Sequence, residues 1–394
     1  MGEDRGPDFF GLEKKLFEIT DALETDIIKF VEPTNSSQQK KRFFEGLRNG
    51  LEVNPRFSYL PKNPIFAHFT ITPDYARIKR ELEGIEIENS GVGRLLRKKK
   101  KESLDRMEFI RSIGSSEFGE KSKKFYGKPA KKTVSMAFQL LSSLESKEDK
   151  KTLPSEKAAG LLGRELRQRK LGWKVVLDEN ISPNAVVLPG HKVLKLREHS
   201  FFSLADIKRL TKHEIETHIY RHLNGVRQPF RLFIEGADAL WLKTEEGLAV
   251  VNESIFGLIE KEQLRTYAGR TIAVDFARRN SFYQTFKYLR EFFPEEKAYQ
   301  ITQRVKRGMN DTSQPGAFTK DYFYFEGALE VQAFIENGGD PRKLYYGKIS
   351  LADVEELESI PKLVKPKYLP VYPKNIAERA RFLWSGEKLK FPPV

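Results

Sequence analysis

The chain has 394 residues and a formal net charge of +14, from 69 basic and 55 acidic side chains. Its hydrophobic fraction of 39% and aromatic fraction of 12% are typical of a folded globular protein and exclude an intrinsically disordered one. The absence of cysteine excludes disulfides and thiolate metal ligands, so nitrogen and oxygen atoms would have to hold any zinc ion.

The positive charge favours acidic partners, either a nucleic acid or an acidic polypeptide. The densest basic run, Arg94–Lys101, contains no aromatic residue and is followed by Glu102. This pattern is more typical of a solvated helix end or loop than of a nucleic-acid interface. An acidic polypeptide tail would also suit a basic surface, and the charge alone does not decide between an acidic protein or peptide and a nucleic acid.

The sequence predicts a cytoplasmic protein without a membrane anchor. No stretch approaches the roughly 18 apolar residues of a membrane span. The first seven residues are polar, and no apolar signal core follows them.

Helical periodicity dominates the first 115 residues, which we predict to form a mostly helical N-terminal subdomain without catalytic residues. Pro33 ends its first helix, and we interpret His68 as a structural residue. The predicted elements are helices over 8–31, about 38–52 and about 73–84, a strand over 66–71, and a helix over 107–113 beyond the lysine run.

The second predicted domain, residues 116–394, begins in a segment rich in Gly, Ser and Lys (114–132) that we interpret as a domain boundary or an exposed loop. A proline-rich tail from Pro361 should be extended. The predicted helices lie at about 133–146, 156–169, 203–225, 253–264, 271–279, 281–292, 295–307 and 326–337, and the predicted strands at 173–177, 185–188 and 192–196.

Three of the six histidines lie within ten residues, at His213, His218 and His222. Ser203 is a suitable N-cap for a helix that continues past all three, to about Gly225. On a regular helix, His213 and His218 would be separated by about 140°, and one π-type turn would bring them to the same face. The alternative metal pair is His218 and His222, at the regular i, i+4 spacing. We prefer His213 and His218, because only this choice places a carboxylate, Glu214, beside a ligand as general base.

A third ligand is predicted in the segment Thr244-Glu-Glu-Gly-Leu-Ala249. Glu246 and Glu253 are seven residues apart and therefore share a helix face, whereas Glu245 is expected to point elsewhere. Gly247 costs helix stability, which a close approach to another helix would explain. We predict Glu246 as the third metal ligand and Glu253 as a partner that orients a ligand imidazole.

These motifs, HEIETH with Arg221 and Asn224-Gly225, then EEGLA, resemble the QEGLA-motif (flavohaemoglobin expression-modulating) family, which is related to the microtubule-associated tyrosine carboxypeptidase. That family uses HExxxH in place of HExxH. The resemblance implies one Zn²⁺ ion on His213, His218 and Glu246, with Glu214 as the catalytic base. EEGLA is also similar to the Asn-Glu-Gly element of related zinc peptidases, which supports Glu246 as the ligand. The departures are Glu245 in place of glutamine and the extra histidine.

A later segment is similar to the family's RG…FTKD…Y pattern, at Arg304–Gly308 and Gly316–Tyr324. A carboxypeptidase must bind a free C-terminal carboxylate, for which arginine is well shaped. The reaction also needs a donor to the oxyanion. The candidates for the carboxylate are Arg304, Arg307 and Lys320, and those for the oxyanion are Arg221, Tyr322 and Tyr324.

The sequence thus predicts a mostly helical α+β protein with a zincin-like metallopeptidase core, a small sheet before the metal-binding helix, and a helical N-terminal subdomain. The predicted function is a zinc-dependent carboxypeptidase that removes a C-terminal, tyrosine-like residue from a protein or peptide. The alternative is a non-catalytic basic module that binds nucleic acid or an acidic protein, with structural zinc or none. Glu214 argues against this alternative, because a structural zinc site does not require a general base.

Overall fold

The structure is a computed structural model that describes residues 8–21, 27–59, 73–88, 91–144, 151–179, 181 and 183–380. Over these residues the chain is mostly helical with two small sheets, so the predicted α+β class is confirmed at this level. The predicted strand at 66–71, with His68, lies outside the described residues. None of the described helices is both long enough and apolar enough to cross a bilayer.

The chain forms two compact units. The first contains Met1–Leu144, Ala237–Ala239 and Arg265–Glu326; the second contains Glu145–Gly236, Leu240–Leu264 and Gly327–Val394. The boundary predicted between residues 115 and 116 lies inside the first unit.

Short loops and several 3-10 turns connect the described α-helices. In chain order they are α1 (Phe9–Thr20), α2 (Ile27–Val31), α3 (Ser36–Arg48), α4 (Pro73–Glu83), α5 (Gly91–Ser112), α6 (Phe118–Tyr126), α7 (Lys131–Ser143), α8 (Ser155–Gln168), α9 (Leu204–Leu210), α10 (Tyr220–Val226), α11 (Leu232–Glu235), α12 (Leu240–Ile255), α13 (Lys261–Ala277), α14 (Phe282–Leu289), α15 (Glu295–Lys306), α16 (Phe323–Glu336) and α17 (Ile376–Ala380).

The lysine run lies inside α5 and not at a helix end or in a loop. Leu95 and Leu96 are buried on its apolar face, and buried Lys99 forms an ion pair with Glu102 at 3.2 Å. The run is therefore part of a long amphipathic helix, in which the apolar face fixes the position of the charges.

The predicted loop at 114–132 is wrong in its middle, which forms α6. Phe118 and Tyr126, at the two ends of α6, are buried. Phe118 contacts Phe109 with ring centroids 5.4 Å apart, and Tyr126 contacts Phe318 at 5.5 Å. Burial of these aromatic rings stabilises a helix whose Gly, Ser and Lys content is typical of a loop.

The predicted helix over 253–264 is also wrong, because α12 ends at Ile255 and α13 begins at Lys261. Gly257 ends α12 by adopting a φ of +69°, and its N–H donates to the carbonyl of Ser254 at 2.8 Å. A glycine in this left-handed conformation is a common helix stop.

The second unit contains the small sheet that was predicted before the histidine-rich helix. Its three strands, β2 (Lys174–Asp178), β3 (Ala185–Leu188) and β4 (Val193–Arg197), have the order β2-β4-β3. β4 is central, parallel to β2 and antiparallel to β3, and Leu194 and Leu196 of β4 are fully buried. A further antiparallel pair joins β1 (Leu153–Pro154) to β5 (Phe201–Phe202), directly before α9.

Residues 363–373 of the proline-rich tail contain neither helix nor strand and are held by side chains of the second unit, and α17 follows them. The Asn224 side chain accepts hydrogen bonds from the backbone N–H groups of Lys367 and Tyr368 and donates to the Tyr368 carbonyl. Gln228 makes a similar pair of bonds to Val364. The tail thus covers the end of the helical segment that carries the histidines.

Candidate metal centre

The histidine-rich segment begins as a regular helix and then widens. Ser203 caps α9 as predicted, with its hydroxyl accepting from the Asp206 N–H at 2.9 Å and Asp206 returning a bond to the Ser203 N–H. From Thr211 to Ile219 the backbone is π-helical, and α10 follows without a break. Because hydrogen bonds in a π-helix join residues five apart, the i, i+5 spacing of two histidines fits one turn.

The π-helix brings His213 and His218 together. Their ring centroids are 5.1 Å apart. Ligand atoms of His213, His218 and Glu246 all lie within 4.8 Å of one another, and His213 Nε2 is 3.9 Å from Glu246 Oε2. Two imidazole nitrogens and a carboxylate oxygen are a donor set that zinc takes in sites with an open position, so this trio can hold such an ion.

Each imidazole is oriented by a carboxylate at its other nitrogen. His213 Nδ1 lies 2.7 Å from Glu253 Oε1, and His218 Nδ1 lies 2.8 Å from Glu245 Oε1. A carboxylate accepts the Nδ1 proton, so the neutral ring keeps its lone pair on Nε2, the atom that a metal would take. The structure therefore places Glu253 in contact with a predicted ligand. It also places Glu245 in contact with His218, so the prediction that Glu245 points elsewhere is wrong.

The carboxylate of Glu253 is fully buried and is held by a second contact. Arg209 Nη1 donates to Glu253 Oε1 at 3.3 Å, and Arg209 also forms an ion pair with Asp206 at 3.4 Å. No sequence signal marked Arg209, which lies on the α9 turn that leads into the π-helix.

Arg221 holds Glu245 and is not exposed to substrate. Its guanidinium is fully buried, and Nη1 donates to Glu245 Oε2 at 2.9 Å. Its remaining hydrogen bonds go to the backbone carbonyls of Leu344, Gly347 and Ile349. Its predicted role as an oxyanion donor therefore has no support here, because every bond that the structure gives this side chain fixes Glu245 or the backbone.

Negative charge is in excess around the two imidazoles. Four carboxylates contact or flank the rings, and two arginines are bonded to these carboxylates. The four are Glu214, Glu245, Glu246 and Glu253, and the two are Arg209 and Arg221. A buried excess of this sign is costly unless a cation or bound protons compensate it, which is the electrostatic condition of a divalent metal site.

The pKa values of His218 and Glu245 are shifted by these neighbouring charges. Burial disfavours the charged form of His218, but the hydrogen bond and charge of Glu245, together with Glu214 and Glu246, raise its pKa to about 9. Burial would raise the pKa of Glu245, but Arg221 and His218 lower it to about 2.

Glu214 lies in the π-helix beside His213 and is buried. Over the described residues its carboxylate has no hydrogen-bond partner, although its charge acts on His218. A buried carboxylate without a fixed donor can accept a proton, as a general base must.

The helix of Glu246 is fixed by a glycine–glycine crossing. A Cβ atom on Gly247 would lie 2.2 Å from the backbone carbon of Gly327, and one on Gly327 would lie 2.2 Å from the carbonyl oxygen of Lys243. The close approach expected for Gly247 is therefore present, and it sets the depth at which the neighbouring Glu246 enters the cluster.

His222 does not join the ligand trio. Its ring packs edge-on against Trp173, with centroids 6.0 Å apart, and burial lowers its pKa to about 4. The metal cluster that the described residues form pairs His213 with His218, not His218 with His222.

The remaining candidates from the sequence lie in the first unit. Tyr322 is buried, and its hydroxyl donates to the Tyr126 carbonyl at 2.7 Å. Arg304 and Arg307 pair with Asp321, and Lys320 lies 5.8 Å from the ring centroid of Tyr324. These residues form a cluster of their own, which includes Asp321 and Arg270, two residues that the sequence analysis did not single out.

Comparison with known proteins gives a family match over most of the chain. The family model described as microtubule-associated tyrosine carboxypeptidase matches residues 41–386. Microtubule-associated tyrosine carboxypeptidase 1 of Mus musculus is 30% identical over 214 residues, which are 53% of this chain and 43% of that protein. The Homo sapiens protein of that name is 30% identical over 214 residues, 53% of this chain and 42% of its own length. The matched stretch thus spans less than half of either relative.

Proposed function

Because the chain belongs to the microtubule-associated tyrosine carboxypeptidase family, we propose that it is a zinc-dependent carboxypeptidase that removes a C-terminal, tyrosine-like residue from a protein or peptide. The observation that carries this proposal is the trio of His213, His218 and Glu246, with its ligand atoms within 4.8 Å of one another. The names of its relatives support the carboxypeptidase activity. A metallopeptidase mechanism is supported by the donor set and by Glu214 beside it.

One Zn²⁺ ion held by this trio would supply a Lewis acid that lowers the pKa of water and polarises a carbonyl group. The contribution of the chain is to hold the donors in place. Glu253 and Glu245 fix the orientation of the two imidazoles, and the arginines bonded to them fix these carboxylates. The donors therefore need little reorganisation when the ion binds.

Glu214 is the general base in this proposal. It accepts a proton from the attacking water and passes it to the amine of the leaving residue, so that one carboxylate serves both proton transfers. This role separates an enzyme from a structural zinc protein, which has no use for an unpaired carboxylate at this position.

The proposed substrate is a protein or peptide with a free, acidic C-terminal region. The relatives are named for tyrosine removal and for microtubule association, and the net charge of +14 favours an acidic chain. Arg304, Arg307 and Lys320 stay our candidates for the substrate carboxylate, and Tyr324 for the oxyanion. A cytoplasmic location is part of this proposal.

The experiment that tests the proposal is the substitution Glu214→Gln, assayed on a peptide that ends in tyrosine and on the same peptide with a C-terminal amide. We expect the wild type to release tyrosine from the free acid and not from the amide. Glu214→Gln should keep its zinc but lose turnover by at least about a hundredfold, the usual contribution of a general base.

Glu216→Gln is the matched control. Glu216 lies in the same π-helix, but its carboxylate is paired with Arg169 at 2.8 Å and Lys212 at 2.7 Å. We expect this variant to retain turnover per folded molecule. Equal turnover in the wild type and Glu214→Gln would contradict the mechanism. A chain that cleaves neither peptide and binds nucleic acid in a salt-sensitive manner would favour the non-catalytic module.

A further inference from the structure

A second buried cluster of charges lies in the first unit, around Asp321. This carboxylate is fully buried. Burial would raise its pKa, but the pKa is lowered to about 2 by four neighbouring cations: Arg304, Arg307, Arg270 and Lys320. Positive charge is therefore in excess around one buried carboxylate.

Two of these four cations form ion pairs with carboxylates. Arg304 is in close contact with Asp321. Arg307 is shared, with Nη1 at 3.2 Å from Glu32 Oε2 and Nη2 at 3.6 Å from Asp321 Oδ1. Each of these arginines therefore has an anionic partner inside the protein.

Arg270 makes no direct contact of this kind in the described part of the chain, although the charge of Asp321 acts on it. Over the described residues its guanidinium has neither a hydrogen bond nor an ion pair, and its Nε atom is buried and unsatisfied. Its contacts are with two aromatic rings: the guanidinium carbon lies 5.3 Å from the ring centroid of Tyr324 and 5.9 Å from that of Tyr267. The two rings are stacked, 5.0 Å apart at an angle of 3°.

The charge of Arg270 is only partly compensated. Its side chain is partly exposed; burial and the charge of Arg304 lower its pKa, whereas the charges of Asp321 and the two tyrosines raise it. The tyrosine rings also contribute cation–π attraction, typically about 0.5–2 kcal/mol. Because Asp321 is shared with Arg304 and Arg307, an external anion would add to this compensation.

We propose that Arg270, with Arg304 beside it and Tyr324 against it, forms a receptor for a small oxyanion, either a carboxylate or a phosphate group. The planar guanidinium presents parallel N–H donors that match two oxygens of such a group. The stacked tyrosines hold the guanidinium in place, so little side-chain entropy is lost when the anion binds.

The receptor does not depend on peptide hydrolysis for its existence. If its anion is the free carboxylate of a chain end, the receptor supplies the carboxylate recognition that a carboxypeptidase needs, and in that form it rests on the proposed function. A phosphate ligand would make it a separate site. In the carboxylate case, Arg270 joins Arg304, Arg307 and Lys320, which sequence similarity suggested for binding the substrate carboxylate.

The test uses the full chain carrying Glu214→Gln, so that no substrate is consumed. Binding of three probes is measured by titration calorimetry: N-acetyltyrosine, N-acetyltyrosinamide and inorganic phosphate. We expect saturable binding of an oxyanion and none of the amide. Adding Arg270→Met should weaken oxyanion binding by at least about tenfold, the equivalent of one charge-assisted hydrogen bond.

Arg290→Met is the matched control. Arg290 also lies over an aromatic ring, 5.7 Å from the Phe286 centroid, but it is about half exposed and lies 4.0 Å from Glu295. We expect this change to leave oxyanion binding unaltered. Thermal unfolding without anion gives a second readout: Arg270→Met should not lower the Tm, because over the described residues the Arg270 guanidinium makes no hydrogen bond or ion pair that the change would break.

Tighter binding of N-acetyltyrosine than of phosphate would assign the receptor to a chain end, and the reverse order would assign it to a phosphate. Absence of oxyanion binding, or equal binding by Arg270→Met, would overturn the receptor. A marked fall in Tm on Arg270→Met would instead assign Arg270 a structural role. Peptide turnover by the chain with native Glu214 would leave the peptidase proposal standing in each of these cases.

Discussion

The two units each bury a cluster of charges, and the clusters have opposite signs. In the second unit, four carboxylates surround two imidazoles, and two arginines are bonded to them. In the first unit, four cations surround Asp321, and Glu32 provides one further carboxylate. Both arrangements cost free energy unless a counterion compensates the excess charge. The difference in sign indicates what each would bind: a cation in the second unit and an oxyanion in the first.

The clusters also differ in how their groups are held. The imidazoles are fixed by carboxylates and arginines on a π-helical turn, so their orientation depends on hydrogen bonds. Arg270 packs against the stacked rings of Tyr267 and Tyr324 through cation–π contacts. A metal site needs fixed ligand directions, whereas an oxyanion receptor needs charge and a planar donor set. The substitutions below test this contrast, starting with the largest expected effect.

Asp321→Asn should cause the largest loss of stability, about 3–5 kcal/mol at pH 7, because it leaves buried arginines without their anion. The folded pKa of about 2 lies below the ordinary value of 3.8. The stabilisation by Asp321 is therefore present above about pH 3.8 and is lost as the pH falls towards 2. Denaturant unfolding at pH 7 and at pH 2–5 measures both effects.

Glu32→Gln is the control, and it should cost less stability because the Glu32 side chain is 38% exposed. Equal stability of wild type and Asp321→Asn at pH 7 would contradict the charge balance that we describe for the first unit.

Gly247→Ala tests the helix crossing beside the metal cluster. Its Cβ atom would lie 2.2 Å from the backbone of Gly327, so the helices must separate, at a typical cost of about 1–3 kcal/mol. We expect weaker zinc binding as well, because Glu246 moves with the helix. Gly160→Ala is the control: its Cβ atom meets nothing within 4 Å, and it should stabilise α8 by up to about 1 kcal/mol. Unchanged zinc affinity in a destabilised Gly247→Ala variant would show that the crossing does not position Glu246.

Glu245→Gln converts EEGLA into the family's QEGLA sequence and should have the smallest effect of the three, because the Arg221 guanidinium keeps its hydrogen bonds to three backbone carbonyls. The amide oxygen can still accept the His218 Nδ1 proton, but the charge is lost. We expect zinc affinity to fall by about tenfold, and by up to about a hundredfold for Glu245→Ala, which removes the acceptor. Competition with a zinc chelator measures both variants. The same affinity in all three proteins would mean that Glu245 does not act through His218.

The sequence predicted the backbone of the candidate metal centre better than its supporting side chains. The Ser203 cap, the π-type turn and the close approach at Gly247 follow from local rules of helix geometry, and the structure contains all three. Glu245 was expected to point away from the cluster because neighbouring helix positions differ by about 100°. In the structure Glu245 contacts His218 and Glu246 lies near His213, so both helix positions contribute.

Arg270 illustrates why the rest could not be predicted. Its neighbours Asp321 and Tyr324 are distant in sequence, and no motif connects them with α13. Only tertiary packing shows that Arg304 forms a direct ion pair with Asp321, whereas Arg270 makes no ion pair with any described residue. The α6 error has the same origin, because aromatic burial outweighs the local composition of the segment.

We propose that the π-helix makes His213 and His218 a metal-binding pair. The most direct test is zinc stoichiometry after metal repletion in the wild type, His218→Ala and His222→Ala. We predict one zinc ion per chain in the wild type and in His222→Ala, since His222 packs on Trp173 away from the trio. His218→Ala should lose the ion. No zinc in the wild type, or loss with His222→Ala and retention with His218→Ala, would contradict this site.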